Sequence, residues 1–496
     1  MKPFANTATQ LLEVFAVALL AGITVGHAEV KPGTFDLDAI HDPATLETRV
    51  IQDWKPAPKD PSIRQKVIEI TVCEWWPGQK VRLPVTLNAP ASGAPCRNVM
   101  VGNMGLAPKA ALPAGAMLRL LKEKGVGVVL IGMSTVDAME PVGKLHLGMK
   151  DQLLKTRDAR FTPAWIWGMS DMRALTAAVA EADVFRPMKV LATGGSKRGV
   201  ATAAAGIHDD RFTAILPVVA PPLGNPGGPY VAGTESAEVA RANAEFLANL
   251  AAGKIANLPA TAAAALIDRQ ERRGNERITL QQARDAGWTD AEVAAINDRA
   301  WDASRITSHL PALQKRGLEI FYNVGADDNV SPALLELGRR FPAFPIYIVP
   351  GGQHGGPKNA GFTRQVPSQP EVEDNLYAFA QHHFFGARPL IAAPKIQHHW
   401  DKATRRLSVT VTFPDGTEPQ KNELWWSMNR HQPCTLAFEY DAWQSAPLHK
   451  TGAATFAGEI SLQGNARTLD FVTTHTHVTN DLALTISSPM QRMEPK

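Results

Sequence analysis

The stretch "ATGGSKRGV" (Ala192 to Val200) sets a serine and two cations among glycines, where an apolar run gives way to an alanine-rich one. A serine hydroxyl attacks carbonyl carbon only if a base takes its proton, and that base needs a carboxylate to orient it. Both partners are available downstream. Asp327 follows the apolar run "IFYNVGA", with Asp328 beside it, and His354 follows "IYIVPGGQ". Each candidate stands at the end of a predicted strand, in the chain order Ser, Asp, His that a strand–turn–helix nucleophile requires. Taken singly, Ser196 reads as a helix cap, the aspartate as a turn residue and His354 as a surface histidine. Taken together they read as an acyl-transfer set.

The elbow pattern asks for glycine two places before and two after the serine. Gly194 meets the first demand; Arg198 stands at the second, with Gly199 one place later. The Lys197 backbone N–H would sit at a helix N-terminus, where an oxyanion is stabilised. A second donor is expected from "VGNMG", through the N–H of Asn103 or Met104. Cations at a helix start oppose its macrodipole, so Lys197 and Arg198 call for a partner charge. For Arg198 we weigh an anionic substrate group against a structural carboxylate, with the structural salt bridge ahead; Lys197 is expected near the oxyanion. Trp165 and Trp167 in "FTPAWIWGMSD" either line a substrate pocket or pack in the core. His475 and His477 share one strand face, but no third ligand stands at metal-site spacing, so solvated histidines are expected.

These residues need a sheet to hold them. Residues Val67 to Pro90 alternate as a hairpin around Pro77-Gly78. Beyond it, "RNVMVGNMG", "VGVVLIGM", "MKVLATGG" and "FTAILPVVAPP" are apolar strands separated by the helices "AGAMLRLLKEKG", "SDMRALTAAVAEAD" and "KRGVATAAAGI". Fully apolar strands alternating with helices predict a mostly parallel α/β sheet covered on both faces. The alternation stops for an alanine-rich helical insertion over about residues 222–310, a cap or lid. It resumes with "LEIFYNVGADDNV", "SPALLELGRRF", "FPIYIVPGGQHGG" and a helix near "QPEVEDNLYAFAQHHFFG". From 395 to 496 short alternating strands, among them "CTLAFEY", predict a β-sandwich-like unit. The predicted organisation is a leader over 1–28, an α/β unit over 29–390 and this β tail.

With the elbow and the order of elements in view, the chain resembles the α/β-hydrolases. More narrowly, "GGSKRG", the following "DDRFTAILPVV" and the β-rich tail are similar to the PhoPQ-activated pathogenicity-related proteins. The resemblance covers much of the chain and implies the hydrolase fold. Glucuronoyl esterases are also similar in placing a cation directly after the serine; this chain differs in having Lys197 there and an aspartate after "NVGA". The "ADDNV" stretch resembles the acid loop of prolyl-oligopeptidase-like hydrolases, whose first aspartate orients the histidine. That resemblance selects Asp327 over Asp328.

Composition sets the remaining bounds. The 496 residues carry a formal net charge of +3 and no long basic block, which sets nucleic acid aside. The N-terminus has Lys2, an apolar stretch from Leu11 to Val25, and Gly26 and Ala28 at the −3 and −1 places of a cleavage site. This layout predicts a bacterial exported chain, periplasmic or secreted, beginning near Glu29, with no membrane span after cleavage. Export permits disulfides, yet Cys73, Cys96 and Cys434 are three in number: a Cys73–Cys96 bond and three buried thiols both stay open. No Walker loop, dinucleotide fingerprint or His-Glu-x-x-His helix is present, so no cofactor or metal is expected. Three functions compete: a serine hydrolase acting on a small-molecule or saccharide-linked carboxylic ester, a serine peptidase, and a hydrolase fold kept as a binding module.

Overall fold

The computed structural model describes residues 35–107, 112–134, 136–139, 145–225, 228–254, 276–330, 333–354, 365–431, 442–464 and 466–495. The expected leader, part of the alanine-rich helical insertion (255–275), the expected strand "CTLAFEY" with Cys434, and the end of "FPIYIVPGGQHGG" after His354 lie outside these residues.

The chain enters the sheet as an antiparallel meander of β1 (Arg49–Ala57), β2 (Asp60–Trp76) and β3 (Gln79–Pro90). The β2–β3 turn is the expected one, with Gly78 at φ 83°, a value that favours glycine. β1 carries little alternation because it is mostly exposed, and sequence patterning missed it. The strands that follow are β4 (Cys96–Met104), β5 (Gly127–Gly132), β6 (Phe185–Gly195) and β7 (Ala214–Val218). A short parallel ladder of β8 (Val231–Ala232) and β9 (Ile278–Thr279) lies inside the insertion, where no strand was expected. The main sheet resumes with β10 (Glu319–Ile320), β11 (Tyr322–Gly325) and β12 (Ile346–Val349). Its order is β1-β2-β3-β5-β4-β6-β7-β11-β12, with β10 beside β7, ten strands in all. From β5 through β12 the neighbours run parallel.

Successive residues of each strand feed opposite cores, as the pleat demands. Val99 and Val101 join an apolar cluster with Leu175 and Val200, whereas Met100 and Leu130 join another with Leu120 and Phe379. The first cluster is roofed by α3 (Pro163–Ala180) and α4 (Lys197–His208), which follow α1 (Gly115–Lys124) and α2 (Leu145–Thr156) in the chain. α3 begins well before the expected "SDMRAL". Every residue from Pro163 to Ala178 is buried, so the helix has no polar face to announce its first turns. The insertion contributes α5 (Ala237–Ala251), α6 (Leu280–Asp285) and α7 (Asp290–Arg299); the last two start on capping boxes at Thr279 and Thr289. Then come α8 (Ile306–Arg316), α9 (Leu334–Arg340) and α10 (Pro370–Phe385).

The tail forms two antiparallel sheets. One orders β13 (Lys395–Asp401), β14 (Arg406–Thr412), β18 (Thr455–Ser461) and β17 (His449–Gly452). The other orders β16 (Trp443–Pro447), β15 (Lys421–Met428), β19 (Leu469–Thr479) and β20 (Leu482–Ser487), with β21 (Gln491–Met493) on β19. Their inward residues Leu407, Val409, Phe471 and Leu484 share one cluster with Val372 and Phe379 of α10. Hydrogen bonds cross the join. Asn375 exchanges two with the Thr485 backbone at 2.7 and 3.0 Å, and Ser487 Oγ accepts from Ile348 N at 2.9 Å. Cys73 and Cys96 are free thiols, which leaves the Cys73–Cys96 bond unformed. Among the described residues no helix is long and apolar enough to cross a membrane.

Candidate active site

β6 ends at Gly195 and α4 starts at Lys197, leaving Ser196 alone at the turn with φ 63° and ψ −128°. A serine held at positive φ is strained, and the surroundings must impose it. Ser196 N donates to Val218 O of β7 at 3.0 Å, and Val200 N donates to Ser196 O at 3.0 Å. The neighbours leave no room for Cβ atoms. One on Gly194 would collide with Asn103 Oδ1 and Arg198 Cβ; one on Gly199 would lie 2.8 Å from Ala220 Cβ and 2.9 Å from Val218 O. The close approach that the sequence pattern assigns to the second residue after the serine therefore falls to the third.

His354 is 8% exposed and reaches the elbow from the loop after β12. Its Nε2 lies 2.7 Å from Ser196 Oγ, and its Nδ1 lies 3.0 and 3.1 Å from the two carboxylate oxygens of Asp328. Ser196 and His354 thus come together as expected, and the expectation for Asp327 is corrected. The Asp327 N–H donates to Gly352 O at 3.0 Å, joining the acid loop to the histidine loop. Its carboxylate turns to the tail, accepting from Trp443 Nε1 at 3.0 and 3.2 Å. Asp328, wholly buried, takes the histidine side and also caps Val330 N at 2.8 Å. Gly325 is required beneath this arrangement, because a Cβ there would collide with Gly352 O.

The end of β4 lies beside the elbow. Pairing of β4 with β6 stops at Val101, while pairing with β5 runs on to Met104, so the last residues of β4 part from β6 beside the elbow. The Asn103 side chain is committed elsewhere: its Nδ2 donates to Asp171 Oδ1 at 3.0 Å. Arg198 is structural, but its partners are carbonyls, not the expected carboxylate salt bridge. Its Nη2 donates to Met104 O at 3.1 Å, and its Nε and Nη2 to Met133 O at 3.3 and 3.2 Å. Asp171 on α3 lies nearby, with Thr202 Oγ1 at 3.5 Å from its second carboxyl oxygen. Burial pushes the Asp171 carboxyl up to about 8 despite the opposing pull of Asn103, Thr202 and Arg198. Sequence reading overlooked Asp171, although a lone acid in so apolar a helix was a usable signal.

Trp165 and Trp167 belong to the core, which decides between their two expected roles in favour of packing and against substrate binding. They are 8% and 3% exposed; Trp165 stacks between Phe35 and Trp75, and Trp167 Nε1 donates to Ser134 O at 3.1 Å. His475 is likewise not solvated. It is fully buried between Asn422 and Thr473, at 2.7 and 2.8 Å, and burial depresses its pKa to about 3. His477 is half-buried beside Arg388, with Arg388 Nη2 3.2 Å from its Nδ1.

The sheet order, the strained serine after β6 and a histidine arriving from the loop after β12 define an α/β-hydrolase fold with added antiparallel sheets at its C-terminus. No family model and no curated protein matches the sequence. Solved structures similar to it include an acetyl xylan esterase from Paenibacillus sp. R4, at 15% identity and TM-score 0.42, covering 70% of this chain and 92% of that one. A glucuronoyl esterase from Solibacter usitatus gives 15% identity and TM-score 0.38 over 69% of this chain and 87% of its own. Candida Antarctica lipase A gives 12% and 0.34, over 70% and 83% respectively.

Proposed function

We propose that the protein is an exported serine hydrolase that cleaves a small-molecule or saccharide-linked carboxylic ester through an acyl-enzyme. The observation that carries the reading is the hydrogen-bonded series Ser196, His354, Asp328 at the strained elbow. Ser196 Oγ attacks the ester carbonyl carbon while His354 Nε2 takes its proton. The buried Asp328 carboxylate holds His354 Nδ1–H and stabilises the imidazolium. The oxyanion is received by the Lys197 N–H at the start of α4 and by a backbone N–H of Asn103 or Met104. The C–O bond to the alcohol then breaks, and His354 returns the proton to the departing oxygen. Water, deprotonated by His354, attacks the acyl carbon; the bond to Ser196 Oγ breaks, His354 returns the proton to Oγ, and the acid leaves.

Export rests on the charge, apolar stretch and small residues of positions 1–28, and the insertion over about 222–310 serves as the cap of the site. The resemblance of "GGSKRG" to the PhoPQ-activated pathogenicity-related proteins agrees with this reading. A binding module has no use for a serine strained to φ 63° and hydrogen-bonded to a histidine. The test is hydrolysis of a panel of chromogenic esters and anilides by the wild type and Ser196→Ala. Ester hydrolysis is expected, with the variant losing about 10⁶-fold in kcat while keeping its melting temperature. Retention of more than a few per cent of kcat would remove Ser196 as nucleophile, and preferential anilide cleavage would make the protein a peptidase.

A further inference from the structure

We propose that the C-terminal β sheets act on the hydrolytic site itself, with Trp443 and Arg430 as positioning residues for the acid. The inference rests on the triad reading above. Asp470 on β19, wholly buried, accepts from Arg430 Nε at 2.6 Å and from Arg492 Nε at 2.5 Å. So anchored, Arg430 donates through Nη1 to Ala326 O at 2.6 Å, and the same nitrogen stands 3.9 Å from Asp327 Oδ1. From β16, Trp443 donates Nε1–H to both Asp327 oxygens, while its ring edge lies against Gly351 of the histidine loop. One indole therefore touches both loops that carry His354 and Asp328.

Charge and burial explain why this matters. The side chains of Arg430 and Asp327 are 1% and 3% exposed. A carboxylate that dry needs donors, and the tail supplies them. With its donors in place, Asp327 is held on the tail side and its neighbour Asp328 is left to face His354. Without them, a second buried carboxylate is released in the same short turn, and the loop can rotate to satisfy it. The histidine would then lose its orienting acid.

The experiment is a comparison of Trp443→Phe, which keeps a ring on Gly351 but removes the N–H, with the wild type on p-nitrophenyl acetate. We expect kcat to fall about 10–100-fold, the scale of a small misplacement of catalytic groups, with KM little changed. The acid limb of the kcat/KM profile is expected to move to lower pH, because a histidine that loses its carboxylate loses its proton more readily. A merely structural tryptophan would lower the melting temperature and leave that limb in place; this outcome, or an unchanged kcat in the folded variant, overturns the proposal. Should Trp443→Phe not fold, Arg430→Lys, which keeps a cation beside Asp470 but removes the fork that also reaches Ala326 O, is read the same way. Ser196→Ala measured alongside separates the two levels. If that variant stays active the triad reading fails, whereas if it is dead and Trp443→Phe is normal only the positioning role fails.

Discussion

The elbow and the acid loop are both turns at the carboxyl ends of parallel strands, β6 and β11, with β7 between them, yet they are stabilised in different ways. The elbow is held by its immediate framework: Ser196 N on Val218 O, Gly194 against Arg198, and Gly199 against Ala220 and Val218. Nearly all of these lie within one strand–helix–strand unit. The acid loop is held from far along the chain. Its Asp327 depends on Trp443, and its Ala326 carbonyl on Arg430, both more than a hundred residues downstream. A nucleophile can thus be strained locally, whereas the acid that serves it is oriented by another layer of the molecule.

The sharpest way to break this comparison is to exchange the roles of the two aspartates. Asp328→Asn should lower kcat by as much as ~10⁴, through loss of the histidine's tautomer and orientation. Asp327→Asn should cost far less, because the asparagine still accepts from Trp443. Steady-state kinetics of both variants decide it, and a larger loss in Asp327→Asn would return the acid to the position favoured by sequence resemblance.

A second variant probes the elbow's own framework. Arg198→Met removes donors from Met104 O and Met133 O, and carbonyls left unpaired in the interior cost about 1–3 kcal/mol each. We expect a lower melting temperature and equal losses of kcat/KM on matched acidic and neutral esters. A loss confined to the acidic ester would make Arg198 a substrate-binding residue instead.

The effect expected to be smallest on catalysis concerns Asp171, the buried carboxyl between β4 and α4, and it is read in stability. Its folded pKa of about 8 lies above the value of a free carboxyl, so the native state holds the proton more tightly than the unfolded chain. Its contribution to stability is full below the free value and is lost as pH rises toward 8. Asp171→Asn should remove that slope, so its melting temperature should gain on the wild type between about pH 5 and about pH 8.5. Each pKa unit of difference corresponds to about 1.4 kcal/mol. Parallel melting curves across that range would show that Asp171 is ionised in the folded protein.

Where order is local, the chain announces it. The fully apolar β5 and β7, the hairpin turn at Gly78 and the glycines about Ser196 are visible because neighbouring residues fix them. The choice between Asp327 and Asp328 was not visible, since the two differ only in which side of the turn each faces, and Trp443 and Arg430 settle that from the tail. Trp165 and Trp167 stayed open between two roles for a related reason. A helix buried on every side shows the same aromatic richness as a pocket wall, and only packing tells them apart. The burial of His475 is hidden in the sequence because a strand face bearing polar residues looks exposed until a second element, here Asn422, closes over it.

The central claim is that Ser196 is an activated nucleophile whose base is oriented by Asp328. Intact-mass and peptide analysis after fluorophosphonate treatment near neutral pH tests it directly, on the wild type and on Asp328→Asn. The account predicts a single adduct on Ser196 that forms rapidly in the wild type and slower by orders of magnitude in the variant. No adduct, an adduct on another serine, or equal labelling rates in the two proteins would contradict it.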